Sequence, residues 1–172
     1  MKHTIAALVN NRPGVLAKVS GLFARRGYNI DSLAVGPTID SRHQDAEAEK
    51  YSRMTIVVDD EGDPSIMDQI EKQLDKLVDV VHISDHTRAD VVRRELGLIK
   101  IECPPEKRPE IVAICDAFRA QIDDIGRETV IIQVTGAPEK VDGMVQVVGS
   151  TYSILELVRT GRVVLSRGER AT

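Results

Sequence analysis

The sequence predicts an α+β protein built from two βαββαβ units, and three observations carry that prediction. Segments in which apolar residues alternate with period two interleave with segments at helical spacing, in the order strand, helix, strand, strand, helix, strand. That order occurs twice. A chain of 172 residues then leaves about 80 residues per unit, enough for one small core apiece. The halves share order without obvious residue identity, so the repeat is one of architecture.

Ile5, Ala7 and Val9 alternate with Ala6 and Leu8, as in a strand covered on one or both faces. Asn11-Arg12-Pro13-Gly14 interrupts it. Val15, Leu16, Val19, Leu22 and Phe23 then recur as the buried stripe of an amphipathic helix, which Gly27 closes. Tyr28 to Val35 predicts a second strand. Met54, Ile56 and Val58, with Thr55 and Val57 on the opposite face, predict a third. Between these two, Thr38 to Tyr51 is polar, mixed in charge and long for a link between antiparallel strands. It reads as a solvated hairpin tip, with partner contact through its AEAEK stretch as the alternative. Asp63 as N-cap and Pro64 at the first helical position open a second helix, with Ile66, Met67, Ile70, Leu74 and Leu77 inward. Val78 to Ile83 completes the unit.

A charged stretch, Asp85 to Arg94, precedes the second round. Leu98, Ile99 and Ile101 begin a strand. Ile111, Ile114, Cys115 and Phe118 face inward from a helix, and Ile122 to Ile125 forms a short strand. Val130, Ile132 and Val134 alternate in the next. Val141, Met144, Val145 and Val148 mark the last helix, and Ile154 to Val158 closes the unit, with Arg162 to Arg167 as one further strand. The boundaries follow: a first domain over 1–86, a linker over 87–96 and a second domain over 97–172. Cores this small lean on a neighbour, which predicts dimerisation through a sheet edge or face.

Composition excludes several classes of function. The formal net charge is −4, aromatic residues make up 3% and tryptophan is absent. Single-stranded nucleic-acid binding calls for stacking platforms on a basic groove, and neither is on offer. The acidic balance is equally poor for anionic membranes, and no run of about 18 apolar residues exists to span one. Cys103 and Cys115 form no CxxC pair, which predicts packed, reduced thiols in a cytoplasmic protein. His82 and His86 have a helical metal spacing but fall on a strand and its end; His3 and His43 stand apart. Acid runs such as Asp123-Asp124 and Asp59-Asp60-Glu61 sit at strand ends, where solvation is the default. With no phosphate loop and no assembled nucleophile, base and orienter, no catalytic residue, metal site or resident cofactor is expected.

The richest local signal is Asn11-Arg12-Pro13-Gly14-Val15-Leu16. The first turn of a helix has unpaired N–H groups and partial positive charge, so it attracts a carboxylate. Gly14 lets a ligand approach the backbone, Pro13 stiffens the turn and Asn11 offers an amide donor and acceptor. These suit a small zwitterion; a plain helix start with Asn11 capping locally is the simpler alternative. Asn29, in Gly27-Tyr28-Asn29-Ile30, falls at the far end of the same helix, roughly 18 Å away for about 12 residues. One protomer cannot easily bring both to one ligand, whereas two antiparallel protomers can.

NRPGVL resembles the ligand-binding turn of the ACT domain, a βαββαβ amino-acid-sensing module. The longer strings NRPGVLAKVSGLFARRGYNIDSLAVGPT, SRMTIVV and IEKQLDKLVDVVHISD resemble the small regulatory subunit of acetolactate synthase, or acetohydroxyacid synthase. RELGLIKI and TGRVVLSRG fit that family's second domain. The implied fold is two ferredoxin-like units, the first an ACT domain. The implied function is feedback regulation of branched-chain amino acid biosynthesis, with a branched-chain amino acid, usually valine, bound between two ACT domains. The matching positions are Asn11, Gly14, Val15 and Leu16 on one protomer and Asn29 and Ile30 on the other. The implied partners are a second copy and the large catalytic subunit, which carries thiamine diphosphate, magnesium and FAD. The family pattern is exceeded at Ser41 to Lys50, a longer connection before SRMTI. The alternative is a stand-alone ACT-type sensor serving another metabolic enzyme or a transcription regulator, although no helix-turn-helix remains once both units are assigned.

Overall fold

A computed structural model describes residues 1–38, 50–60, 62 and 65–168. The expected hairpin tip over 39–49 with His43, as well as Glu61 and the Asp63-Pro64 helix start, lies outside the described residues.

The first unit runs β1 (Lys2–Asn10), α1 (Val15–Arg26), β2 (Ile30–Thr38), β3 (Tyr51–Asp59), α2 (Ser65–Leu74) and β4 (Val80–Asp85). Its strands form an antiparallel sheet in the order β2-β3-β1-β4. Ile5 pairs with Ile56 and Ala7 with Met54, so the alternating residues of β1 and β3 share one face. The stripes of α1 (Val15, Val19, Leu22, Phe23) and α2 (Ile66, Met67, Ile70, Leu74) close that face into one core. The fourth strand starts two residues later than the sequence predicts. Val78 is almost wholly exposed, because Leu74 and Leu77 accept the N–H groups of Leu77 and Val80 and bend the chain there.

The second unit runs β5 (Val91–Glu102), a 3₁₀ turn (Pro105–Lys107), α3 (Arg108–Phe118), β6 (Gln121–Ile125), β7 (Thr129–Gly136), α4 (Pro138–Thr151) and β8 (Ile154–Arg159). Its sheet order, β6-β7-β5-β8, repeats the permutation of the first. Both units are therefore ferredoxin-like, as the alternation of periods predicts. Ile99, Ile101, Ile111, Cys115, Val130, Ile132, Val134, Val141, Met144 and Val148 form its core.

The charged stretch holds a difference. Val91 to Leu96 are strand, not linker, and Glu95 is buried. Arg159 makes burial tolerable by donating from Nε and Nη2 to both carboxylate oxygens at 2.7 Å, while its Nη1 reaches Asp142. A second difference concerns the chain's last strand, β9 (Val163–Ser166), which pairs with β5. By contacts the stretch from Arg162 onward belongs with Met1–Val92, and Arg93–Gly161 forms the other unit. Arg53 donates to the Val164 carbonyl at 2.9 Å and the Arg162 N–H donates to Ser32 Oγ at 3.1 Å. The further strand predicted over Arg162 to Arg167 is present and pairs with β5 as a fifth strand of that sheet, whereas local periodicity does not show that its packing contacts group with Met1–Val92.

Candidate functional site

Arg12-Pro13-Gly14-Val15 is a type II turn. Gly14 sits at φ 86°, ψ −11°, the third-position geometry that excludes a Cβ at low cost, and proline suits the position before it. The Val15 N–H closes the turn on the Arg12 carbonyl at a long 3.4 Å. Helical bonding starts only when the Lys18 N–H donates to Gly14, and no side chain caps the helix. Among the described residues, the N–H groups of Gly14, Leu16 and Ala17 therefore find no backbone carbonyl. A Cβ built on Gly14 would meet nothing within 4 Å, so the turn opens onto free space. Val15 turns its side chain into the core and Leu16 is 45% exposed. Asn11 is exposed, with its N–H on the Lys50 carbonyl at 2.8 Å.

At the other end of α1, Gly27 adopts φ 72°. The Gly27 N–H donates to Ala24 and the Tyr28 N–H to Phe23, both at 3.1 Å, a Schellman ending that delivers the chain to β2. Asn29 is exposed there, and its Nδ2 donates to Asp31 Oδ1 at 3.0 Å. Asp31 in turn holds Lys2 Nζ at 2.8 Å. A carboxylate only accepts, so the amide's carbonyl oxygen is turned away from Asp31. Ile30 is half-buried against the core.

The sheet register sets the span between these groups. Asn10, next to the turn, pairs with Tyr51, whereas Ile30, next to Asn29, pairs with Val58. Seven residues of β3 separate them, about 23 Å at 3.3 Å per residue. One copy of the unit thus holds the open N–H groups and the Asn29 carbonyl at opposite ends.

Other polar groups are committed within the chain. Asp60, expected to be solvated, is buried. It accepts from the Met1 amino group, the Gly62 N–H and His3 Nε2, and these donors hold its carboxyl well below the usual range. Beside it, a cleft of about 490 Å³ is lined in part by His3, Thr87 and Asp85. Thr87 approaches His3 Nδ1 at 3.4 Å, yet its hydroxyl is hydrogen-bonded to Asp85 and accepts the Thr4 N–H. Its proton therefore goes to a carboxylate and not to the imidazole, which is the wrong arrangement for an activated nucleophile. None of the six predicted ligand residues lines this cleft. Cys103 and Cys115 are buried free thiols, both pushed up by burial. Among the described residues no His, Cys, Asp and Glu cluster could hold a metal ion, and no helix is long and apolar enough to cross a membrane.

Two residues near the predicted site escaped sequence reasoning. Asp31 orients Asn29 and carried a weak signal, being two residues away. Asp79 lies far along the chain yet contacts Asn10 and Lys18, and no local pattern announces it.

Comparison with known proteins finds relatives of both units. Residues 5–82 match the family described as the AHAS small subunit-like ACT domain, and residues 94–168 match the small subunit of acetolactate synthase. A probable acetolactate synthase small subunit of Archaeoglobus fulgidus is 49% identical over 170 residues, 99% of each chain. The acetolactate synthase small subunit of Mycolicibacterium smegmatis is 44% identical over 98% of this chain and 92% of its own. The crystal structure of the acetolactate synthase small subunit of Thermotoga maritima superposes with a TM-score of 0.83 at 37% identity, covering 99% of both chains.

Proposed function

The chain belongs to the acetolactate synthase small-subunit family, and from that premise we propose that it senses a branched-chain amino acid, valine foremost, between the first units of two copies. The observation that carries this reading is the roughly 23 Å between two half-sites of complementary chemistry within one unit. One is a helix start with unpaired N–H groups, and the other is an amide whose carbonyl oxygen is turned away from Asp31. A zwitterion needs both, and antiparallel pairing of two copies supplies both at one place. The N–H groups of Gly14, Val15 and Leu16 take the carboxylate, assisted by the helix dipole. For Val15 this means exchanging its long bond to Arg12 for a charge-assisted one. Asn29 of the facing copy takes the ammonium group, Asn11 adds a polar contact, and Leu16 and Ile30 receive the aliphatic side chain.

Bound effector favours one geometry of the pair, and the large catalytic subunit, which holds the thiamine diphosphate, magnesium and FAD, reads that geometry. Effector shifts the equilibrium only by its differential affinity for the two states, typically about 1–3 kcal/mol of coupling. The chain itself stimulates catalysis without performing it, in the cytoplasm and without nucleic acid. Reconstitution with the large subunit tests this. Adding the chain should raise synthase activity, and valine should then lower it while leaving the large subunit alone unaffected. Indifference of the reconstituted enzyme to valine, leucine and isoleucine would refute the proposal.

A further inference from the structure

We infer that Asp79 is a positioning residue for the effector turn, one residue that ties down both ends of the segment offering its N–H groups, Asn10 through its carbonyl and Lys18 through its carboxylate. This rests on the reading of that turn as the carboxylate site. Asp79 lies just before β4. Its carbonyl accepts the Asn10 N–H at 2.8 Å, and its carboxylate accepts a bond from Lys18 Nζ at 2.6 Å. Asn10 is the last residue before the turn. Lys18 is the first residue whose N–H enters the helix ladder. Everything between them is the candidate carboxylate cradle.

The geometry makes Lys18 a natural second anchor. Helical side chains lean toward the amino end, so Lys18 lies back along the first turn of α1. Its stem is 60% exposed, whereas the Asp79 carboxylate is only 13% exposed. The exposed partner is held by the more buried one. Lys18, then the charge of Arg12 and the Asn10 side chain, hold the Asp79 carboxyl below the usual range, so the tether persists at neutral pH. A ligand meeting a turn already clamped at both ends does not have to order it on binding.

Two roles for Asp79 predict opposite signs. As a bare negative charge near a carboxylate site, it would repel the effector, and its removal would tighten binding. As a positioning residue, it weakens binding when lost. Calorimetric titration of valine into the full chain separates these roles. Asp79→Asn and Lys18→Gln should each weaken binding roughly tenfold, the size expected on losing one charged hydrogen bond. The double variant should be no weaker than either alone, because both remove the same tether. A role in folding alone would lower the melting temperature and the binding stoichiometry while leaving Kd unchanged. Unchanged or tighter binding by Asp79→Asn overturns the inference. If the wild-type chain binds no aliphatic amino acid, the effector reading fails instead. The clamp is then judged by amide exchange at Leu16 and Ala17, expected about tenfold faster in Asp79→Asn and overturned if unchanged.

Discussion

At Gly14 two effects of substitution can be told apart. Its backbone lies at φ 86° with open space where a Cβ would point, so any replacement carries about 1–2 kcal/mol of strain but no clash. Gly14→Ala should lower thermal stability by that amount and, by placing a methyl on the ligand's approach, weaken the response to valine without abolishing it. Gly14→Asp carries the same strain and also places a carboxylate where the effector's own would bind. It should abolish feedback by valine in the reconstituted enzyme while the complex with the large subunit survives. Full sensitivity in Gly14→Asp would exclude the turn as the site. Arg119 shows the same left-handed geometry held by a residue other than glycine. It ends α3 at φ 48°, the only positive-φ position among the described residues not occupied by glycine, and closes the helix through bonds to Asp116 and Cys115.

Among elements, β5 and α4 approach closely at Gly97. A Cβ on Gly97 would lie 3.1 Å from Val141 Cγ1 and 3.4 Å from Val134 Cγ1. Gly97→Ala is expected to destabilise the second unit by about 1–3 kcal/mol through overpacking, measured by urea unfolding. In the first unit, the end of β3 is joined to the start of β1 through Asp60. The Met1 amino group, the Gly62 N–H and His3 all stabilise its ionised form, so its folded pKa is depressed. The contribution to stability is therefore present above about pH 4, the unfolded value, and is lost as pH falls toward the folded one. Melting curves recorded below about pH 4 should drop steeply for the wild type and more gently for Asp60→Asn.

Across the whole molecule, the second unit repeats the architecture without the site. Its first helix is entered through Pro104, a 3₁₀ turn and a proline in the first helical turn, with no glycine in a left-handed turn at its start. The chain's last strand, although paired with β5, has its packing contacts grouped with the first unit. Val164 is 3% exposed and its carbonyl holds Arg53. A chain ended after Gly161 should lose about 2–4 kcal/mol of stability in the first unit, from one buried valine and two hydrogen bonds. Amide exchange should quicken in β3 and stay unchanged in β7; equal protection in both would show that the C-terminal strand contributes nothing there.

Local signals were enough to read the two βαββαβ orders, the stripes of α1 and α2, and the turn at Pro13-Gly14. Periodicity, a fixed proline φ and glycine's left-handed freedom act over a few residues and are written in adjacent letters. Burial of Glu95 and Asp60, the packing of β9 with the first unit and the clamp at Asp79 depend on partners 57 to 130 residues away. A charged letter alone does not say whether water or a distant side chain will answer it. Only the folded chain, by bringing donors to those carboxylates, decides which acids are buried and which stay solvated.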